Sequence, residues 1–234
     1  MYHNVTNNAN LSIGLTISTK KLEEQLQYLH TKKYSSFFVS ELENSKELPK
    51  KSILLTFDDV TENQFINAVP LLKKYNFKAT FFVPFAYLGK SDLWNDSSEF
   101  SSEKIMTLEQ LKSLDSSRIE LAHHSYLHRK YSELTLNEIQ TDLDESYKVI
   151  KNNDLKIYNA LAYPYGDFPK KGQEKVDFQS LLQQNSIKMG FRIGNRLNKF
   201  PFKNWYEINR IDVKGEESLT KFKLKIKFGK LKLF

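Results

Sequence analysis

With 234 residues, 40% of them hydrophobic and 27% charged, the chain is long enough for one sizeable core and has the composition of an ordinary globular protein. It contains no cysteine, which excludes disulfides and thiolate metal sites. The formal charge of +7 is concentrated at one end: six of the 35 basic residues lie between Lys221 and Phe234, where there is no acid, and without those six the balance is 29 basic against 28 acidic. A nucleic-acid enzyme would carry its positive charge around a site rather than in a tail, so no nucleic-acid partner is expected.

No stretch is apolar over the roughly 20 residues that a membrane span requires, and Met1-Tyr2-His3-Asn4-Val5 lacks the apolar core of a signal peptide. As it stands the sequence reads as cytoplasmic, with an upstream start the route to export. The tail, Lys221-Phe222-Lys223-Leu224-Lys225-Ile226-Lys227-Phe228, alternates strictly, so it is amphipathic as a strand and poorly so as a helix. The expectation is one domain over residues 1–220 and a solvated basic tail over 221–234. Peripheral contact with an anionic membrane is the functional alternative, each lysine near such a leaflet contributing about 1 kcal/mol.

In chain order, Leu22, Leu26 and Leu29 share one face of a helix that Ser18 or Thr19 can cap. Ser36-Phe37-Phe38-Val39 reads as a short strand. Ile53-Leu54-Leu55-Thr56-Phe57-Asp58-Asp59 reads as a strand buried on both faces that ends in two carboxylates. Thr61-Glu62-Asn63-Gln64 has the form of a capping box, and Phe65, Val69 and Leu72 line the helix after it. A strand follows over Lys78-Ala79-Thr80-Phe81-Phe82-Val83, then a long polar loop from about Pro84 to Met106 that carries Trp94. Thr107 with Gln110, and Thr135 with Glu138, open two further helices, the second with the stripe Leu136, Ile139, Leu143, Tyr147 and Ile150. Strands are predicted over Arg118 to Ala122, Ile157 to Ala162, Lys188 to Ile193 and Tyr206 to Val213, with a helix near Val176 to Gln184. Regular alternation of this kind predicts a single parallel β/α domain, a barrel or a related sheet.

Three strand ends carry polar clusters: Asp58-Asp59, His123 to His128, and Tyr163-Pro164-Tyr165-Gly166. Parallel strands end on one face, so these clusters are expected to converge. Successive side chains on extended backbone point oppositely, which assigns Asp58 and Asp59 different partners. His124 and His128 are four apart, the spacing at which one helical turn aims both imidazoles the same way. With Asp59 they would make a two-histidine, one-carboxylate site with a position left for water or substrate. His123 is the weaker ligand candidate, and His30 near a helix end is most simply a partner of the helix dipole. Core packing is the expected role of Trp94 and Trp205.

Thr56-Phe57-Asp58-Asp59, His124-Ser125-x-x-His128 and Tyr163-Pro164-Tyr165-Gly166 resemble, in order and spacing, the first three motifs of the polysaccharide deacetylases (carbohydrate esterase family four, the NodB-homology domain). Met1-Tyr2-His3-Asn4-Val5 and Lys78-Ala79-Thr80-Phe81-Phe82 resemble segments of the poly-N-acetylglucosamine deacetylase branch. The resemblance implies a distorted (β/α)7 barrel and a metal-dependent hydrolase that removes N-acetyl groups from a bacterial surface polysaccharide or its lipid-linked precursor. It implies a divalent ion, zinc first with cobalt or nickel as substitutes, held by Asp59, His124 and His128. Asp58 would be the general base, the Tyr165 backbone N–H an oxyanion donor, and His3 the residue in the place of the general acid, and stacking on a sugar ring would be the alternative role of Trp94 and Trp205.

The chain also departs from that pattern. The arginine that orients the base in many members is missing from Leu161-Ala162-Tyr163, with Arg210 at another strand end a candidate for its place. No Leu-x-His segment lies near the C-terminus, and Val60 stands where a glycine usually follows the acid pair. Three alternatives stay open on sequence: a mononuclear iron oxygenase, a deformylase or other C–N hydrolase on a lipid-linked sugar, and a catalytically weak glycan-binding relative.

Overall fold

In the computed structural model, which describes residues 1–95 and 102–229, the chain runs β1 (Asn4–Thr6), β2 (Thr16–Ser18), α1 (Thr19–Thr31), β3 (Ser35–Ser36), β4 (Ser52–Ile53), β5 (Thr56–Asp58), α2 (Glu62–Lys74), β6 (Ala79–Val83), α3 (Leu108–Ser113), β7 (Ile119–His123), α4 (Leu136–Asn152), β8 (Ile157–Ala162), α5 (Gly172–Gln184), β9 (Met189–Ile193), β10 (Ile208–Arg210) and α6 (Leu219–Phe228). Strands β5 to β10 form one sheet in sequence order, every neighbouring pair parallel. The first two residues bridge its edges. Tyr2 N–H donates to Thr56 O at 2.9 Å and Asp58 N–H to Tyr2 O at 3.0 Å; on the other side the Met1 amine donates to Ile211 O at 2.9 Å and Val213 N–H to Met1 O at 3.2 Å. This is the expected distorted β/α barrel in one domain, with six hydrogen-bonded strands, a register shift between β7 and β8 at Ala122/His123, and residues 1–2 between the edges.

The strands alternate between two layers, as the period of two requires. Phe82, Ala122, Ala160, Ala162, Met189, Phe191 and Ile208, from β6 to β10, share an inner cluster. Phe57, Ala79, Phe81, Val83, Ile119 and Leu121 pack instead with Leu22, Leu26, Leu29, Ala68 and Leu72 of α1 and α2. A third cluster under α4 and α5 gathers Tyr131, Ile139, Leu143, Leu161, Phe178 and Leu182. Ser18 caps α1, and the capping boxes at Thr107 and Thr135 both close.

Three expectations need correction, and one strand pair was not foreseen. The stretch from Ile53 to Asp59 is not one strand: β4 pairs with β3 outside the main sheet, and only β5 joins the barrel. The expected box at Thr61 does not form, because the Gln64 side chain is buried and bonded elsewhere. The parallel pair β1–β2 was not legible as strand. The tail is helical as far as Phe228, with residues 230–234 outside the described part. Its helix is capped by Ser218 and buries Phe222, with Leu219 and Ile226 packed beside it. Those three lie at i, i+3 and i+7, a helical stripe that the alternating lysines conceal. Lys225 and Lys221 both pair with the buried Glu217, at 2.7 and 3.1 Å, so part of the tail's charge is neutralised locally. Among the described residues no helix is long and apolar enough to cross a membrane.

Candidate active site

Asp58 is the last residue of β5, and the chain then turns sharply: Asp59 and Val60 have φ of 73° and 44°. Left-handed backbone costs an L-residue about 1–2 kcal/mol, and a β-branched one is the least suited to it. The position that usually holds glycine thus has a conformational reason for it. Here Val60 is fully buried in the outer core, and its carbonyl accepts the Met106 N–H at 2.9 Å, which fixes the turn. The two carboxylates do have different partners, but a left-handed turn separates them rather than strand alternation.

His124 follows β7 directly, and its Nδ1 donates to the Ala162 carbonyl at 2.8 Å, which turns Nε2 toward the acids. The loop to His128 is not a helical turn. Ser125 and His128 take φ of 69° and 53°, and the Ser125 hydroxyl accepts the His128 N–H at 2.8 Å. The two imidazoles nevertheless lie with ring centroids 4.9 Å apart. Asp59 Oδ1 stands 3.4 Å from the Nε2 of each, and ligand atoms of Asp59, His124 and His128 all fall within 4.8 Å of one another.

Asp58 faces the other way, onto Arg210 at the end of β10. The guanidinium donates through Nη1 to Oδ1 at 2.5 Å and through Nη2 to Oδ2 at 2.8 Å. Its carbon also lies 5.3 Å from the centre of the Phe82 ring. Asp58 Oδ2 is 3.8 Å from Nε2 of both His124 and His3, so it sits between the ligand cluster and the N-terminal histidine. Gln64 ties these parts together: its amide donates to the carbonyls of His3 and Asp58, at 2.9 and 2.5 Å. That support escaped sequence reasoning because Gln64 fitted a local capping pattern. The Ala162 carbonyl escaped it because a backbone acceptor has no sequence signature.

The site is almost wholly buried, and its charges do not cancel within it. Burial alone would raise the pKa of Asp58, but Arg210, then His124 and His3, hold it well below the usual carboxylate range. Burial likewise opposes ionisation of Asp59, and His124 and His128 reverse that. Burial pulls His128 down to about 3. It pulls on His124 too, yet the two carboxylates push that imidazole above its ordinary value. Two ionised acids face one guanidinium, so the cluster favours one more positive charge.

The donor set fits a divalent ion. Ligands at about 2.0–2.2 Å from a tetrahedral centre stand roughly 3.4 Å apart, and both Asp59–histidine separations are 3.4 Å. Asp59 Oδ1 is buried without a hydrogen-bond partner among the described residues, an orphan that a cation satisfies.

The remaining candidates separate cleanly. Tyr165 has φ 58°, and its half-exposed ring lies 4.9 Å from that of His128. The bonds that close its turn are donated by Gly166 and Asp167, not by the Tyr165 N–H. Gly166 follows at φ 65°, where a Cβ would come within 2.8 Å of Ile193. Trp94 stacks on His128 at 4.1 Å, so it is part of the site wall, whereas Trp205 packs with Phe200 and Phe202. Within the loop of Trp94, residues 96–101 lie outside the described part. His123 points away from the Asp59, His124 and His128 cluster, fully buried between Phe85 and Tyr147 with Nε2 3.4 Å from Asn159 Oδ1. His30 lies in the last turn of α1, its Nδ1 3.2 Å from Tyr75 O.

The family model for polysaccharide deacetylase matches residues 45–196. The Bacillus subtilis protein YxkH is 27% identical over 186 residues, covering 76% of this chain and 61% of that protein. The poly-beta-1,6-N-acetyl-D-glucosamine N-deacetylase of Staphylococcus aureus is 27% identical over 211 residues, covering 84% of this chain and 67% of the relative. The chain therefore spans about three fifths to two thirds of the length of these relatives. Among solved structures, the Streptococcus pyogenes deacetylase PplD in complex with acetate superposes with a TM-score of 0.76 at 20% identity, covering 99% of this chain and 96% of that one. IcaB from Ammonifex degensii gives 0.73 at 23% identity, covering 94% and 92%. At these identities the two structures establish the fold.

Proposed function

The chain belongs to the polysaccharide deacetylase family, and on that premise we propose that it hydrolyses the N-acetyl amide of an N-acetylated sugar in a bacterial surface polysaccharide, poly-N-acetylglucosamine first. The observation that carries this reading is the pairing of two acids with opposite duties. Asp59 lies at ligand spacing from His124 and His128, while the adjacent Asp58 is gripped by Arg210 within 3.8 Å of the same cluster.

Asp59, His124 and His128 would hold a divalent ion, zinc first. When bound, that ion supplies Lewis-acid polarisation of the amide carbonyl and acidifies the attacking water. Asp58 takes the proton of that water as general base. Arg210 keeps its carboxylate ionised and fixed in plane, so that no orientation is lost on reaching the transition state. The departing amine needs a proton. His3, whose Nε2 is 3.8 Å from Asp58 Oδ2, is the residue assigned to give that proton as the C–N bond breaks, and the proton taken by Asp58 balances it when the site resets. Products are acetate and the free amino sugar. The Tyr165 N–H is the backbone donor assigned to the oxyanion, and a donor of that kind contributes on the order of 3 kcal/mol. Trp94 and Tyr165 flank His128 and offer aromatic surface beside the reacting centre.

Acetate release from poly-N-acetylglucosamine and from chitooligosaccharides, measured on metal-stripped protein and after addition of zinc or cobalt, tests this. Acetate that appears only with metal is the expected result. Zinc retained without acetate from any glycan would leave a binding module, and formate from an N-formyl sugar would shift the reading to deformylation.

A further inference from the structure

The His124–His128 loop holds two residues in left-handed backbone, Ser125 and His128, and gains no helical hydrogen bonds in return. At about 1–2 kcal/mol each, such residues persist only where the surroundings over-determine them. The Ser125 hydroxyl accounts for one N–H of the loop. The two between are taken by a residue 14 positions beyond His128 in sequence: Asp142, on α4. Its Oδ1 accepts the Tyr126 N–H at 2.9 Å and its Oδ2 accepts the Leu127 N–H at 2.9 Å. A third donor, the hydroxyl of the fully buried Tyr131, reaches Oδ1 at 2.8 Å. Asp142 is itself only 5% exposed, and among the described residues no cation lies within salt-bridge distance of it.

A buried carboxylate without a cation is costly, and three charge-assisted donors offset that cost. They also fix the carboxylate plane, so the two N–H groups it grips are set at a defined distance from α4. His124 is anchored on one side of that grip by β7 and the Ala162 carbonyl. His128 comes immediately after Leu127, so the direction in which it leaves the grip decides where its Nε2 lies relative to Asp59. An asparagine at 142 would offer one acceptor oxygen and turn an NH2 group toward the second backbone N–H.

We propose that Asp142 is a positioning residue for the ion site: its carboxylate clamps Tyr126 and Leu127 and thereby sets the His124–His128 geometry on which ion affinity depends. This rests on the ion-binding reading of Asp59, His124 and His128, and the experiment separates the two. Zinc affinity is measured by competition with a chromophoric chelator, and site geometry by the visible absorption of the cobalt(II) form, for the wild type, Asp142→Asn, Tyr131→Phe and Leu26→Ala. Leu26, buried on α1, is a control for lost stability alone.

Outer partners of metal ligands typically change affinity by about 10–100-fold. Asp142→Asn is expected to bind zinc about 10–100-fold more weakly and to shift the cobalt spectrum. Tyr131→Phe, which removes one of the three donors, is expected to lose about threefold. Leu26→Ala is expected to melt earlier with unchanged affinity and spectrum. Wild-type affinity and spectrum in a folded Asp142→Asn protein would overturn the proposal. If that variant does not fold, unchanged affinity in Tyr131→Phe overturns it. A wild type that takes up neither zinc nor cobalt would defeat the ion-binding reading itself.

Discussion

Arg210 and Asp58, 152 positions apart in sequence, form a buried two-point ion pair at 2.5 and 2.8 Å. Each is the last residue of an edge strand, β10 and β5, so the contact exists only because the sheet curls until its edges meet. Arg210→Met is expected to keep zinc, because the guanidinium touches none of the three ligands, while kcat/KM falls at least 100-fold. Breaking a buried pair from one side costs about 3–5 kcal/mol, so the variant also melts earlier. Metal analysis, kinetics and thermal melting check this; undiminished kcat in a folded protein would remove Arg210 from the mechanism.

The adjacent acids are expected to fail differently. Asp58→Asn retains zinc and loses turnover by at least 100-fold, because the base is gone and the ligands remain. Asp59→Asn loses zinc. Free zinc at 100 times its Kd stabilises a folded protein by about 2.7 kcal/mol, so zinc raises the Tm of Asp58→Asn and not that of Asp59→Asn. The reverse pattern would exchange their roles.

His3 is assigned to leaving-group protonation, and that role depends on the substrate. His3→Gln is expected to lower kcat on an N-acetylated glycan by about 10²–10⁴-fold, the range of general acid catalysis. An activated aryl acetamide, whose departing nitrogen needs less help from a proton, is expected to lose much less. Equal losses on both substrates would make His3 a structural partner of Asp58 instead.

His123 gives a prediction about stability and pH. Burial, opposed only weakly by the bond to Asn159, holds this imidazole down at about 4. Unfolded, it takes up a proton below about 6.5. Between those values the unfolded state binds the proton and the folded state does not, so stability falls as pH drops through that window. A gap of that size corresponds to about 3 kcal/mol, fully available above pH 6.5 and gone below about 4. In metal-free protein, His123→Phe is expected to flatten the loss of Tm between pH 6.5 and 4. An unchanged slope would mean that other histidines carry the acid sensitivity.

The convergence of Asp59, His124 and His128 was legible because parallel β/α order forces the carboxyl ends of the strands onto one face, whatever the details between them. Apolar runs ending at Asp58, Ala122 and Ala162 therefore located the site before any contact was known. The capping boxes at Thr107 and Thr135 were equally local and formed as read. Misreadings arose where a local pattern competed with distant partners. Gln64 left its box for two carbonyls of the site, and the alternating tail became a helix once Phe222 had a core to enter.

The amino-acid sequence by itself determined which chemistry is present and at which strand ends, since residue type and the alternation of strand and helix are written in the order of the chain. Only the tertiary structure decided how those groups are aimed. The aim rests on left-handed residues at Asp59, Ser125, His128 and Tyr165, on bonds donated by Arg210 and Gln64, and on the bond that the Ala162 carbonyl accepts from His124. Backbone in that region has no periodicity to read. It is held there by partners that become neighbours only when the barrel closes.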